Sequence, residues 1–148
     1  MHNNLYFHFQ NISKFPLPNN IHEWMKGVII HEKFILSKIN VIFCSDSYLL
    51  TLNKKHLDHN YYTDILTFDY RTNPKEIYGD LFISQERIIE NASSFIVSLD
   101  NELLRIVVHG LLHLFGYSDK SKKDKKLMQS MEDFYLSLYS KYYVSRET

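Results

Sequence analysis

The hydrophobic positions along the chain change period several times, and each change marks an element. Leu5-Tyr6-Phe7-His8-Phe9 reads as a first strand, separated from the next element by Pro16 and Pro18. Asn19 or Asn20 can cap a helix running to about Phe34, with Ile21, Trp24, Met25 and Val28 on one face. Ile39, Val41 and Phe43 alternate as a second strand. Ser45 or Asp46 then caps a helix carrying Leu49, Leu50 and Leu52 and ending before His59-Asn60. Asp64 to Tyr70 and Ile77 to Ile83 read as two further strands. The turn Arg71-Thr72-Asn73-Pro74 between them predicts an antiparallel pair. Ser84 caps a helix from Gln85 to about Phe95, and Ser98 or Asp100 starts another that runs to Phe115. A last amphipathic helix covers about Lys122 to Tyr142. With no internal repeat, low-complexity segment or linker, residues 1–148 are expected to form one domain. The expected class is α+β: a small mixed four-stranded sheet flanked by about five helices, in two or three layers.

Composition removes several classes of protein. Hydrophobic residues make up 45% and charged residues 23%, a globular balance. No apolar run approaches the ~20 residues of a membrane span. The N-terminal Met1-His2-Asn3-Asn4 lacks a basic patch leading into an apolar run. The lone cysteine, Cys44, lies in an apolar stretch and reads as a small core residue, so a cytoplasmic protein without an internal disulfide is expected. Seventeen basic residues balance seventeen acidic ones, so any polyanion partner must be met by locally gathered charge.

The segment from Glu102 to Gly116 is apolar almost all round, the pattern of a helix buried centrally. His109 and His113 inside it are four apart, which puts both rings on one face and suits two nitrogens of one tetrahedral ion. Gly116 stops the helix and permits a sharp reversal, and Asp119 follows three residues later. The frame His109-x3-His113-x2-Gly116-x2-Asp119 parallels the metzincin frame, with a carboxylate as third ligand. Two imidazoles and one carboxylate leave a fourth position for water, the arrangement of a catalytic zinc site. The plainer alternative is a pair of hydrogen-bonded core histidines with Gly116 as a simple helix stop. Where H-E-x-x-H peptidases carry their general base, this chain has Gly110, which moves no proton and suggests a close approach to the backbone. That shifts weight from amide to phosphate-ester hydrolysis.

At these residues the chain resembles the YbeY family of bacterial endoribonucleases. His109-Gly110-Leu111-Leu112-His113-Leu114-Phe115-Gly116-Tyr117 follows its H-G-x-L-H-L-x-G-Y pattern. Thr63-Asp64-Ile65-Leu66-Thr67-Phe68 resembles its T-D-V-L-S-F strand, and Gly79-Asp80-Leu81-Phe82-Ile83-Ser84 its G-D-I-x-I-S strand. Met128 and Glu132 also fall in register. The resemblance implies a single-strand-specific endoribonuclease of rRNA maturation and ribosome quality control, acting at the 3′ end of the small-subunit precursor. It implies one zinc ion per chain held by His109, His113 and Asp119, with metal-bound water attacking a phosphodiester. RNA, and the small ribosomal subunit or its associated proteins, are the implied partners, with no membrane.

Asp119 stands where many members have a third histidine, and its charge weakens Lewis acidity. Many members also carry an arginine before the T-D strand. Here the stretch is Lys54-Lys55-His56-Leu57-Asp58-His59-Asn60, and Lys55, His56 and His59 are the candidates in its place, none with the bidentate fork. Lys55 and Asp80 are the supporting catalytic candidates. Asp80 or Asp64 could instead orient a ligating histidine or help position water, or merely cap a strand end and bond turn amides. Lys120, Lys122, Lys123, Lys125 and Lys126 could meet RNA phosphate or be a solvated face, and Tyr61, Tyr62 and Tyr117 could stack on bases. His2, His8, His22, His31, His56 and His59 show no metal spacing with one another and read as ordinary polar residues. Two other functions stay open: a metallopeptidase-like hydrolase with Glu102 or another carboxylate as displaced base, and a non-catalytic ribosome assembly factor with a structural metal. A zinc deaminase is disfavoured, because its H-x-E and P-C-x-x-C elements are absent.

Overall fold

The computed structural model describes residues 4–57 and 63–144, with only the backbone of residues 56 and 57. The strands are β1 (Leu5–Gln10), β2 (Ile35–Cys44), β3 (Ile65–Asp69) and β4 (Glu76–Ser84). The helices are α1 (Ile21–His31), α2 (Asp46–Leu57), α3 (Gln85–Phe95), α4 (Leu99–Phe115) and α5 (Lys122–Leu138), with a π-helical turn at Tyr139–Tyr143. The sheet order is β1-β2-β4-β3. β1, β2 and β4 run parallel, and β3 pairs antiparallel with β4, so the sheet is mixed and the class is α+β.

Alternation along the strands sorts the sheet into two unlike faces. Leu5, Ile39, Val41, Phe43, Ile65, Ile77, Leu81 and Ile83 are buried in one cluster with Trp24, Met25 and Val28 of α1 and Val107, Val108 and Leu111 of α4. On the other face a smaller cluster of Cys44, Leu49 and Leu66 brings in Tyr48, Leu52, Phe68 and Phe82, so α2 covers one corner there. Cys44 is fully buried, which pushes its thiol up to about 12. Beside that cluster the face carries a polar network. His8 Nε2 lies 2.9 Å from Asn40 Oδ1, and Asn40 Nδ2 donates to Asp80 Oδ1 at 3.1 Å. The Tyr70 hydroxyl donates to Asp80 Oδ2 at 3.0 Å.

Several boundaries differ from those the sequence predicts, most of them because of a contact made far along the chain. The first helix stops at His31, three residues before Phe34. Lys33 takes a left-handed φ of 67°, and Phe34 turns back to stack on Phe115 with ring centroids 5.0 Å apart. β2 begins at Ile35 instead of Ile39, because Ile35 to Lys38 continue the pairing with β4 across a register shift. Asn20 occupies the cap position of α1 at φ 60° without a side-chain cap bond, and its side-chain Nδ2 donates instead to the Tyr143 carbonyl at 2.7 Å. The α geometry of α5 ends at Leu138. In the π turn beyond it, the Tyr139 hydroxyl donates to the Asn19 carbonyl at 2.7 Å, fastening the C-terminal turn to the start of α1. The expected end of the second helix near His59 lies outside the described residues.

Candidate metal centre

α4 is buried on most sides and lies directly on the sheet. A Cβ at Gly110 would fall 2.7 Å from Ile65 Cδ1 and 3.0 Å from Leu81 Cδ2, so the close approach expected at this glycine is to the sheet itself. Ser98 caps the helix, its Oγ accepting from the Asn101 amide at 3.0 Å. Gly116 ends it at φ 111°, and the Tyr117 amide returns to the Leu112 carbonyl at 3.0 Å. This left-handed cap turns the chain across the helix end.

The turn brings Asp119 back over His109 and His113. The two Nε2 atoms are 3.0 Å apart. Asp119 Oδ2 lies 3.4 Å from His109 Nε2 and 3.3 Å from His113 Nε2. A tetrahedral ion with ligands at about 2.0–2.1 Å has ligand–ligand edges of about 3.3 Å. The triangle is therefore one face of such a polyhedron. All three side chains keep partial exposure, between 25% and 40%, so the fourth vertex is reachable from solvent.

The outer nitrogens fix the tautomers. His113 Nδ1 donates to the Tyr117 carbonyl at 3.0 Å, and a carbonyl only accepts. His109 Nδ1 donates to Glu132 Oε2 at 2.6 Å. Both protons thus sit on Nδ1, and both Nε2 lone pairs face Asp119 and each other. Such a set of lone pairs calls for a cation, and a group of His109, His113 and Asp119 could hold one. The surroundings favour positive charge at this point, whether a proton or a metal ion supplies it. Burial by itself pulls the His109 pKa down, but the hydrogen bond and charge of Glu132, with the charges of Asp64 and Asp119, hold the ring above its ordinary value.

Glu132 is 7% exposed on α5, and its Oε1 accepts from Arg105 Nη1 at 2.9 Å. The sequence placed Glu132 only in family register and gave it no role. A signal for it was present, since it shares the apolar stripe of α5 with Met128, Tyr135 and Leu136. A carboxylate on such a stripe needs a buried partner.

Other candidates lie elsewhere. Asp80 points to the polar face of the sheet, opposite α4, where Asn40 and Tyr70 occupy its oxygens. Lys55 is exposed on α2. Glu102 is 3% exposed and accepts from Asn91 Nδ2 at 3.4 Å. The Tyr117 hydroxyl is engaged by Glu32. Lys120, Lys122, Lys123, Lys125 and Lys126 are all exposed just beyond Asp119. His59, Tyr61 and Tyr62, His2, and the side chain of His56 lie outside the described residues.

Fold and site together define a small α+β domain with a candidate His-His-Asp metal centre on one helix and its turn. The family model described as Endoribonuclease YbeY matches residues 7–140. The Endoribonuclease YbeY of Cytophaga hutchinsonii is 47% identical over 118 residues, covering 80% of this chain and 82% of that one. That of Karelsulcia muelleri is 41% identical over 134 residues, covering 89% and 94%. A Thermotoga maritima protein solved in solution superposes with a TM-score of 0.66 at 26% identity, over 93% of this chain and 91% of that one. The chain belongs to the YbeY endoribonuclease family, as the motif on α4 implied.

Proposed function

We propose that this chain, acting as one unit, is a zinc-dependent, single-strand-specific endoribonuclease that matures the 3′ end of the small-subunit rRNA precursor and serves ribosome quality control. The observation that carries the reading is the triangle of two Nε2 atoms and one carboxylate oxygen, 3.0–3.4 Å on a side, in a member of this family. The proposed ligands of a single ion are His109, His113 and Asp119, and an N,N,O donor set in tetrahedral array suits zinc. Bound there, zinc supplies a Lewis acid for the phosphate and lowers the pKa of water toward ~7.

The chain's own residues do the rest. Glu132 and the Tyr117 carbonyl hold both Nδ1 protons away from the donor atoms. The lysines of residues 120–126 lend positive potential for a phosphodiester beside the centre. A peptidase finds less support. Gly110 packs on Ile65 and Leu81 where the base would stand, and Glu102 is turned to Asn91. Among the described residues no helix is long and apolar enough to cross a membrane. The proposed setting is the cytoplasm, with the small ribosomal subunit or its proteins as partners.

The test is cleavage of a precursor small-subunit rRNA fragment by wild type and His113→Ala, purified identically. A defined cut made by the wild type and lost in the variant is the expected result. Equal cutting by both would overturn the metal-dependent reaction. Cutting by neither, together with retained ribosomal co-sedimentation, would replace it with the assembly-factor reading.

A further inference from the structure

Tyr117 touches the candidate metal centre through its backbone and the rest of the protein through its side chain. Its carbonyl accepts from His113 Nδ1 at 3.0 Å, and it precedes Asp119 by two residues. Its hydroxyl donates to Glu32 Oε1 at 2.8 Å. Glu32 is distant in sequence and sits at the C-terminal cap of α1, where its amide donates to the Val28 carbonyl at 3.0 Å. Its side chain is 12% exposed. The second oxygen, Oε2, takes the hydroxyl of Tyr135. Tyr135 is 1% exposed on α5, one turn beyond Glu132, and its hydroxyl also meets His31 Nδ1 at 2.9 Å.

One carboxylate therefore fastens two elements with its two oxygens. The turn of residues 116–119 carries the acceptor for His113 and the ligand Asp119. α5 carries Glu132, the acceptor for His109. Glu32 itself is fixed, because Lys33 turns at φ 67° and Phe34 stacks on Phe115 at the end of α4. We propose that Glu32 is a positioning residue of the metal centre, holding the Tyr117 turn and α5 in the register that closes the His109–His113–Asp119 triangle. The hydroxyl of Tyr117 is the other half of the device. Neither side chain touches the donor atoms, and both act through groups that do. This inference rests on the metal-centre reading.

The experiment measures zinc affinity by competition with a chromophoric chelator, and the visible absorption of the cobalt-substituted protein, well below the melting temperature of each protein. The variants are Glu32→Ala, Glu32→Gln, Tyr117→Phe and His113→Ala in the full chain. Tyr117→Phe removes only the hydroxyl and keeps the carbonyl. Loosened outer partners typically cost 10–100-fold in metal affinity. The expected result is a loss of about tenfold or more in Glu32→Ala and Tyr117→Phe, with an altered cobalt spectrum. Glu32→Gln, which keeps an acceptor for the phenol, should recover part of the affinity. Wild-type affinity and spectrum in both Glu32→Ala and Tyr117→Phe, with only a lower melting temperature, would overturn the proposal and leave Glu32 a structural residue. Zinc retained by His113→Ala would instead bring down the metal-centre reading on which it rests.

Discussion

Glu102 is a carboxyl in a place that charges avoid. It is 3% exposed on α4, and burial raises its pKa against the opposing effects of the Asn91 hydrogen bond and the Arg105 charge. The nearby charges of Asp64 and Glu132 push the same way as burial. The folded chain therefore keeps the proton at pH values where the unfolded chain has lost it. Stability falls as pH rises from the ordinary carboxylate range through the raised folded value, because the native state there binds more protons than the unfolded state. Glu102→Gln keeps an acceptor for Asn91 and carries no charge to bury. The variant should melt higher than wild type above neutral pH, and the difference should shrink toward zero below pH ~4. Thermal melts across pH check this, and a gap that widens on acidification would contradict it. His109 shows the opposite balance with the same ingredients. Its burial is outweighed by Glu132, so one buried acid serves as partner while the other remains a cost.

At the scale of elements, the helix–turn that carries the candidate site was legible because its pattern is local. Two histidines four apart, a glycine at the helix stop and an aspartate three residues on define one face and one reversal, and no distant contact is needed to see them. The strands and the α3–α5 starts were legible for the same reason, with Ser84, Ser98 and Ser121 each accepting an amide of the first turn. What escaped depends on partners far along the chain. The end of α1 is set by Phe34 packing on Phe115, and the early start of β2 by pairing with β4. The roles of Glu132 and Glu32 exist only once α5 and α1 lie beside α4. Asp80 shows the converse, since a suggestive neighbour in sequence fell on the face of the sheet away from α4. The turn itself can be tested. At Gly116 a Cβ would meet open space, so any cost of Gly116→Ala comes from the backbone at φ 111°. The left-handed penalty is about 1–2 kcal/mol. The expected outcome is that loss in chemical denaturation together with weaker zinc binding, because Tyr117 and Asp119 come directly after the turn. A stability loss with unchanged zinc affinity would show that the turn does not aim the ligand.

For the whole molecule the central quantity is charge. The chain carries no formal net charge, so its total charge gives a polyanion no attraction, and RNA must be met where cations are concentrated. The five lysines at positions 120, 122, 123, 125 and 126 are exposed and begin one residue after Asp119, the third corner of the candidate centre. Under the proposed function, they would offset the negative charge that Asp119 brings to the candidate site and would give an incoming phosphate backbone a favourable route to the metal. A solvated helix face would look the same in the structure, but it would behave differently in salt. Each phosphate neutralised on a single strand adds a slope of about −0.7 to the dependence of log K on log salt. Replacing Lys122, Lys123, Lys125 and Lys126 by glutamine should weaken binding of a single-stranded rRNA fragment and flatten that slope by about 0.7 for each phosphate left without its lysine. Zinc affinity should not change, since none of the four is among the proposed ligands. Fluorescence anisotropy over a salt series reads the slope directly. An unchanged slope with unchanged affinity would make the lysines a solvated face and would require the RNA to reach the metal from another side.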